Sequence, residues 1–82
     1  MKRLEIRGLK ADLFRGYLVD ELGGVAQPDG AVMGGGWVAR FMDGTPVRAG
    51  LVLVPVLFVE FEGDRAGEAS AFLAGKAMRG GG

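Results

Sequence analysis

The sequence predicts an α+β domain in which two helices cover one face of a curved antiparallel sheet, with the element order β-α-β-β-β-β-α. Three observations predict this fold. Charged and apolar residues alternate strictly in the first segment of the chain. Segments with helical periodicity lie near both ends, and the apolar runs between them are separated by Gly-rich turns. The 82 residues are enough for one domain, which we place at 1–82. Because a chain of this size buries only about 60–65% of its unfolded surface, we expect docking to a partner to add to its stability.

The N-terminal third is predicted to form strand, helix and strand. Residues 2–7 alternate charged and apolar side chains, which is typical of a half-buried strand. Residues 12–22 repeat apolar side chains at helical spacing, with Asp12 as the predicted N-cap and Gly23 as the left-handed stop. Residues 25–27 are then short enough and apolar enough for a second strand.

The middle of the chain is predicted to form two hairpins. The first turns at Pro28–Gly30, where Pro fixes φ and Gly accepts a positive φ. The second turns at Asp43-Gly44, and a type I′ turn there sets Trp37 opposite Gly50, an aromatic covering a strand glycine. The three glycines at 34–36 either form a bulge or leave room for bulky neighbours.

The last third is predicted to form a long strand and a helix. The apolar run from Leu51 to Val59 contains Pro55, which cannot donate to a ladder, so we expect the strand to bend there or to follow an edge. Both faces of this run are apolar, which predicts that a second molecule covers one of them. Residues 65–79 have the spacing of a helix, and residues 80–82 are expected to form a disordered Gly-rich end.

The composition excludes several classes of enzyme. With no His and no Cys, the chain has neither the commonest general base nor a thiolate nucleophile, and it cannot build a zinc-thiolate site. Its hydroxyls are those of Tyr17, Thr45 and Ser70, and a serine hydrolase needs a His partner for its Ser. We therefore expect a non-catalytic protein with no cofactor and no metal. An enzyme that works with carboxylates and arginines alone remains an alternative.

The charge balance indicates which partners to expect. Ten basic and ten acidic residues give a formal net charge of zero, which argues against binding nucleic acid or an anionic membrane by electrostatics alone. The longest apolar stretch, residues 49–59, is too short to cross a bilayer, and no signal peptide is visible, so we expect a cytoplasmic protein.

Three side chains are candidates for ligand binding, namely Trp37, Arg40 and Arg48. The predicted hairpin register puts the two arginines on opposite faces of the sheet, so that one of them lies among apolar neighbours. A guanidinium there either binds a carboxylate or phosphate or lays its methylenes over apolar surface and reaches water. Trp37 is predicted to be either a core anchor or an exposed stacking platform.

Two surfaces are candidates for interaction with a macromolecule. The apolar strand around Val52, Val54 and Phe58 predicts a homodimer, and a protein partner is an alternative. The C-terminal Gly81 and Gly82 resemble the tail of the ubiquitin-like sulfur-carrier class, such as the small subunit of molybdopterin synthase, which is adenylated and converted to a thiocarboxylate. In that class the tail leaves a final strand, whereas here it follows a predicted helix, and a frayed end is the alternative.

The order of elements over residues 1–79 looks like the TBP-like arrangement. The segments that carry the likeness are KRLEIR, the helix ending LGG, the PDG and DGTP turns and the run LVLVPVLFVEF. In these the chain resembles a small domain of unknown function at the C-terminal end of molybdopterin-synthase-small-subunit-related (MoaD-related) proteins of thermophilic bacteria. The resemblance implies a place in sulfur or molybdenum-cofactor metabolism. It transfers no catalytic motif, and fold alone does not decide function.

Overall fold

Seven strands and two helices make up the part of the chain that the computed structural model describes, residues 2–80. The strands are β1 (Lys2–Arg7), β2 (Val25–Ala26), β3 (Val32–Gly34), β4 (Trp37–Asp43), β5 (Val47–Ala49), β6 (Val52–Val54) and β7 (Val56–Glu62), and the helices are α1 (Ala11–Leu22) and α2 (Ala66–Gly80). The predicted α+β class is confirmed. The structure has more strands than predicted because the chain turns twice where a continuous strand was expected.

The strands form two antiparallel sheets. The larger sheet has five strands in the order β1-β7-β4-β3-β2, and β5 and β6 form a separate two-stranded sheet. The centre of the larger sheet joins strands that are distant in sequence, since Arg40 of β4 lies opposite Glu60 of β7. Strand β7 pairs with β1 along one edge and with β4 along the other.

The core lies between the two helices and one face of the five-stranded sheet. Alternate residues of β7 point into it, which explains why Leu57, Val59 and Phe61 are buried while Glu62 is exposed. Phe14 of α1 and Leu73 of α2 are fully buried against the same cluster. Burial of side chains of this size is worth about 1.5–3 kcal/mol each, so this one layer of contacts is the main source of stability.

Helix α1 differs from the prediction at its start and agrees with it at its end. The N-cap is Lys10, which makes no side-chain cap, and Asp12 lies inside the first turn, so the predicted Asp12 cap is wrong. Asp12 instead accepts a hydrogen bond from Arg15 (3.0 Å), one helical turn later, and its charge favours the helix N-terminus. At the other end, Gly23 has φ 70° and ends the helix as predicted.

The predicted hairpin at Asp43-Gly44 is wrong. Gly44 is not among the positive-φ residues, which a type I′ turn requires, and its N–H continues the ladder to the carbonyl oxygen of Val56 (2.8 Å). A Cβ at Gly44 would lie only 2.6 Å from the ring of Phe58. Glycine is therefore needed here for a close approach of the backbone to an aromatic ring, and not for a turn.

The tight turns occur at other glycines. Gly34 lies opposite Trp37, so the chain turns at Gly35-Gly36, where Gly36 has φ 84°. A Cβ on Gly34 would overlap the Trp37 indole ring. The prediction that these glycines leave room for a bulky neighbour is confirmed, but the neighbour is Trp37, and the predicted pairing of Trp37 with Gly50 is wrong. Gly50 (φ 63°) instead starts the turn between β5 and β6.

The C-terminal part of the chain follows the prediction more closely. The apolar run is interrupted at Pro55, the position predicted for a bend, and β7 resumes at Val56. Helix α2 spans Ala66–Gly80, one residue later than predicted, and buries the expected stripe that includes Ala69 and Leu73. Neither described helix is both long enough and apolar enough to cross a membrane. Of the three residues predicted to be disordered, Gly80 is the last residue of α2, and Gly81 and Gly82 lie outside the described residues.

Candidate functional site

The β5–β6 hairpin exposes four large apolar side chains within residues 47–53. Leu51 at its tip is 100% exposed, and Val52 and Leu53 are each 61% exposed. The two strands pair only with each other, since the five-stranded sheet ends without them. Large exposed apolar side chains that adjoin one another are typical of an interaction surface, whereas isolated ones are not.

The register of the hairpin separates its side chains into two faces. Val47 lies opposite Val54 and Ala49 opposite Val52, and these four side chains share one face. We call this surface the hairpin face. The other face carries Arg48 opposite Leu53. The hairpin face is therefore uncharged, while the opposite face is amphipathic.

The three residues predicted to form an interface are not on one surface. Val52 and Val54 both lie on the hairpin face, with Val54 half-buried at the base of the hairpin near Gly8. Phe58 lies in β7, on the face of the large sheet that points away from the helices. The cause is the interruption at Pro55, because the strand that was expected to carry all three residues is divided between two sheets.

The outward face of the large sheet is charged, and its charges are paired. Arg3 lies 4.0 Å from Glu60, which is also the cross-strand neighbour of Arg40, and Arg40 in turn lies 3.8 Å from Asp29. The Arg3 guanidinium also sits 4.2 Å above the ring of Phe58. Phe58 and its cross-strand neighbour Met42 lie on the same face, so the face mixes apolar and charged side chains and is not wholly apolar as predicted.

The three residues predicted to bind a ligand lie in three different environments. Trp37 is 6% exposed and packs in the core against Gly34. Arg40 is exposed on the large sheet, and Arg48 is exposed on the hairpin. The structure places the two arginines in different sheets, and Arg40 lines a cavity of about 310 Å³ together with Met33 and Val38. Of the two interpretations of Trp37, the core anchor agrees with its burial.

Two cavities adjoin helix α2. A groove of about 330 Å³ runs between β1 and the C-terminal half of the helix, and it is lined by Leu4, Glu5, Ile6, Arg7, Ala74, Ala77 and Met78. A smaller cavity of about 180 Å³ lies beside Trp37 and contains Arg65 and Glu68. The Arg65 Nε donates a 2.7 Å hydrogen bond to Glu68, and this bond and the charge of Arg65 lower the pKa of the Glu68 carboxyl. Glu68 in turn raises the pKa of Arg65, so both groups stay ionised at neutral pH.

No group of three or more potential metal ligands is present within residues 2–80. The two terminal glycines predicted as a carrier tail, Gly81 and Gly82, lie beyond the described end of α2. Besides the hairpin face and the groove between β1 and α2, the surface has a cavity of about 310 Å³ beside Arg40 and one of about 420 Å³ beside Trp37.

Comparison with known protein families assigns the chain to one of them. A family model described as archaeal MoaD-like protein matches residues 2–82, which is nearly the whole sequence. The chain belongs to the archaeal MoaD-like protein family. This agrees with the MoaD-related resemblance predicted from the sequence, while the TBP-like arrangement and a source in thermophilic bacteria stay predictions. Comparison with curated proteins finds no match to this MoaD-like chain.

Sequence reasoning missed two parts of the candidate surfaces of this MoaD-like chain. The sequence predicts Val47 and Ala49 in a hairpin with β4, although Gly50, between two short segments of mainly apolar residues, is a turn signal of its own. Met78 was not singled out because it lies off the buried stripe of α2. Its position on an otherwise small-residue face of the helix is the signal that was available.

Proposed function

We propose that this MoaD-like protein is a non-catalytic interaction module that self-associates through the hairpin face, in the molybdopterin or sulfur metabolism with which its family membership is compatible. The observation that carries the proposal is the exposure of Val52 in a two-stranded sheet that pairs with no other strand of residues 2–80. An isolated hairpin is marginally stable in water, and a third layer or strand is normally needed. A binding partner supplies that layer.

A second copy of the chain suits this face by its chemistry. The four side chains of the hairpin face are all apolar, and three of them are the β-branched residue valine, which packs well on a pleated surface. Because the face carries no charge, two copies meet without like-charge repulsion. Arg48 lies on the opposite face of the hairpin. The face is small compared with a standard interface, so the expected association is weak and depends on protein concentration.

The charged cavity beside Trp37 supports a non-catalytic function. A general acid or base works best with a pKa near the operating pH. The Arg65–Glu68 pair moves both pKa values away from neutral pH. The pair is a surface ion pair with the properties of a structural contact.

The test is the oligomeric state of the Val52→Glu variant. Val52 and Val25 have nearly the same exposed fraction, 61% and 63%, but Val25 lies on the edge strand β2 of the large sheet. The matched control is therefore Val25→Glu. In sedimentation equilibrium we expect the wild type and Val25→Glu to dimerise alike, and Val52→Glu to dimerise at least about 100-fold more weakly, because burying an unpaired carboxylate costs several kcal/mol.

Three results are informative. A wild type that stays monomeric up to millimolar concentration would contradict the proposal. Equal weakening by both substitutions would show that added charge acts through overall repulsion, and not through the hairpin face. Dimerisation that survives Val52→Glu would place the interface elsewhere on the molecule.

A second candidate is a sulfur carrier that uses Gly82. The family match extends through this residue, which favours the idea. Helix α2 continues to Gly80, however, and a helix about 10 Å wide directly before the tail is poorly suited to a narrow enzyme channel. Intact mass measurement of protein from its own cells decides: exchange of a terminal oxygen for sulfur, lost on deletion of Gly81 and Gly82, would support a carrier. Unmodified protein throughout would reject it.

A further inference from the structure

Strand β1 forms an open edge of the five-stranded sheet. It pairs with β7 on its inner side, and within residues 2–80 no strand lies on its outer side. Helix α2 packs over the same edge, but the groove of about 330 Å³ lies between the helix and the strand, and most residues of β1 are exposed. An edge strand of this kind can accept a further strand by backbone hydrogen bonding.

The hydrogen-bonding groups at the outer edge belong to alternate residues of β1. The Gly8 N–H donates to the Pro55 carbonyl oxygen (2.9 Å), which extends the β1–β7 ladder by one position. In an antiparallel ladder, residues that bond to one neighbouring strand alternate with residues that bond to the other. Because Gly8 bonds inward, the N–H and C=O groups of Arg3, Glu5 and Arg7 point outward. An antiparallel partner strand must therefore set its own outward-bonding residues opposite these three.

Charged side chains on the outward face of the sheet form an alternating row that ends at β1. Asp29 lies 3.8 Å from Arg40. Arg40 lies opposite Glu60, which in turn lies opposite Arg3 at a distance of 4.0 Å between carboxylate and guanidinium. Within residues 2–80, Arg3 thus has a cross-strand acidic neighbour on its inner side and none on its outer side. Since opposite charges across a strand pair are favourable and like charges are not, an acidic residue suits the position opposite Arg3 on an added strand.

A second copy of β1 supplies that acidic residue. A symmetric antiparallel pairing centred on Leu4 joins residues 2–6 of both copies and sets Arg3 of each copy opposite Glu5 of the other. The Glu5 carboxylate accepts a hydrogen bond from Arg7 of its own chain through Oε2 (2.7 Å), which leaves Oε1 for Arg3 of the second copy. The alternation of charge along the row then continues across the contact.

The two neighbouring registers fit less well. A pairing centred on Glu5 sets Arg3 opposite Arg7 and the two Glu5 carboxylates opposite each other, so that all of its charged pairs repel. A pairing centred on Ile6 sets Glu5 opposite Arg7, which is favourable, but it overlaps less of β1 and gives Arg3 no acidic partner. The register centred on Leu4 combines opposite charges with the longer overlap.

The helix side of the same register is apolar. Leu4 and Ile6 lie on the side of the strand that faces α2 and line the groove. Pairing centred on Leu4 sets the two Leu4 side chains together and lays the methylenes of Lys2 over Ile6 of the second copy. Met78 of α2, which is 87% exposed, lies at the rim of the groove. The two grooves adjoin across the symmetry axis, so the contact removes part of this apolar surface from water.

We propose that β1 pairs with β1 of a second copy in an antiparallel register centred on Leu4, which joins two five-stranded sheets into one continuous sheet. This edge is separate from the hairpin face, and the proposal does not depend on that surface. Each copy contributes one short strand, and the new ion pairs are exposed, so we expect this contact to be weaker than the hairpin dimer.

Introduced cysteines can trap a weak contact, because the chain has no cysteine of its own. Leu4 bonds inward to β7, so two Leu4 residues at the symmetry axis form a non-hydrogen-bonded pair with Cα atoms about 4.5 Å apart, which a disulfide can bridge. In the same register the two Ile6 residues are about 13 Å apart, which is too far. All variants also carry Val52→Glu, so that assembly through the hairpin face does not contribute.

The measurement is the rate at which each variant forms a covalent dimer in a glutathione redox buffer. We expect Leu4→Cys to cross-link at least about tenfold faster than Ile6→Cys and than Leu13→Cys, a control on the exposed side of α1, because association raises the local thiol concentration. Denaturant should abolish the difference. Equal rates in the three variants would reflect random collision and would overturn the proposal. Fastest cross-linking of Ile6→Cys, or of a Glu5→Cys variant, would assign another register and would also overturn it.

A charge swap tests the ion pairs separately from the backbone. With Leu4→Cys in place, Arg3→Glu alone or Glu5→Arg alone leaves only like charges across the contact, and each should slow the cross-link at least about tenfold. A mixture of these two chains restores opposite charges at both pairs. Mass spectrometry should therefore find more covalent heterodimer than random pairing gives. A random proportion of heterodimer would overturn the proposal, and slowing by Glu5→Arg but not by Arg3→Glu would assign the register centred on Ile6, which overturns it too.

Discussion

The two sheets of this molecule use apolar residues in opposite ways. In the five-stranded sheet, alternate side chains such as Val59 and Phe61 are fully buried under α1 and α2. In the β5–β6 hairpin, Val52 and Leu53 have similar strand propensity but remain 61% exposed. In both sheets the paired strands form regular antiparallel ladders. The difference lies only in whether a second layer covers them.

This contrast indicates which region of the molecule is stabilised by its own contacts and which region lacks a covering layer. Strand β7 is central, pairing with β1 on one side and with β4 on the other, and the helices close the core above it. The hairpin has one pair of short strands and no layer above it. A domain of this size gains stability from any additional burial, and the hairpin is the region with the most to gain.

The strongest test of the contrast compares two Ala substitutions. Phe61→Ala removes a fully buried ring and should lower the free energy of unfolding by about 3–5 kcal/mol. Leu53→Ala, in the hairpin, should change it by less than about 0.5 kcal/mol, because Leu53 is mostly exposed. Denaturant unfolding measures both values at a concentration where the protein is monomeric. Similar losses of unfolding free energy from the two substitutions would contradict the distinction between a packed five-stranded sheet and an uncovered hairpin.

A second test concerns the Gly-rich turn of the five-stranded sheet, where Trp37 packs on Gly34. Gly34→Ala should lower the free energy of unfolding by about 1–3 kcal/mol, because its Cβ would overlap the indole ring of Trp37. Its neighbour provides the control: a Cβ on Gly35 meets open space and its φ is not positive, so Gly35→Ala should cost less than about 0.5 kcal/mol. Trp37 fluorescence should shift only in Gly34→Ala. No difference between the two variants would mean that the ring does not pack on Gly34.

The smallest expected effect concerns the surface ion pair between Arg65 and Glu68. Arg65 lowers the pKa of Glu68, so the stabilisation from this pair is present at neutral pH and is lost as the pH falls through the lowered pKa. Glu68→Gln should therefore reduce slightly the dependence of unfolding free energy on acidic pH, measured by denaturant titration at several pH values. Because both groups are exposed, the effect should shrink in high salt. An acid dependence that is unchanged by the substitution would show that the pair does not contribute.

Local patterns predicted the elements whose formation depends on neighbours in sequence. The alternation of β1, the stop of α1 at Gly23, the interruption at Pro55 and the stripe of α2 are all present in the structure. Each follows from backbone conformation or periodicity within a few residues. The family relationship was also predicted from the sequence, through its MoaD-related resemblance.

The pairing of β4 was not predictable in the same way. Asp43-Gly44 matches a hairpin turn signal, but the structure pairs β4 with β7, some twenty residues further on, where Phe41 lies opposite Val59. Burial under two helices outweighs a local turn preference, and Gly44 is used for close packing on Phe58. This error also placed Arg48 beside Trp37, whereas Val52 and Phe58 are separated by the interruption at Pro55, which divides the predicted strand between two sheets.

The account depends most directly on whether the hairpin face is covered by a second copy. Amide hydrogen exchange of residues 47–54, measured over a range of protein concentrations, tests this. We predict that protection of these amides rises with concentration in the wild type, that it stays low in Val52→Glu, and that protection of β4 and β7 depends less on concentration. Hairpin protection that is the same at every concentration, and equal in the two proteins, would contradict the account.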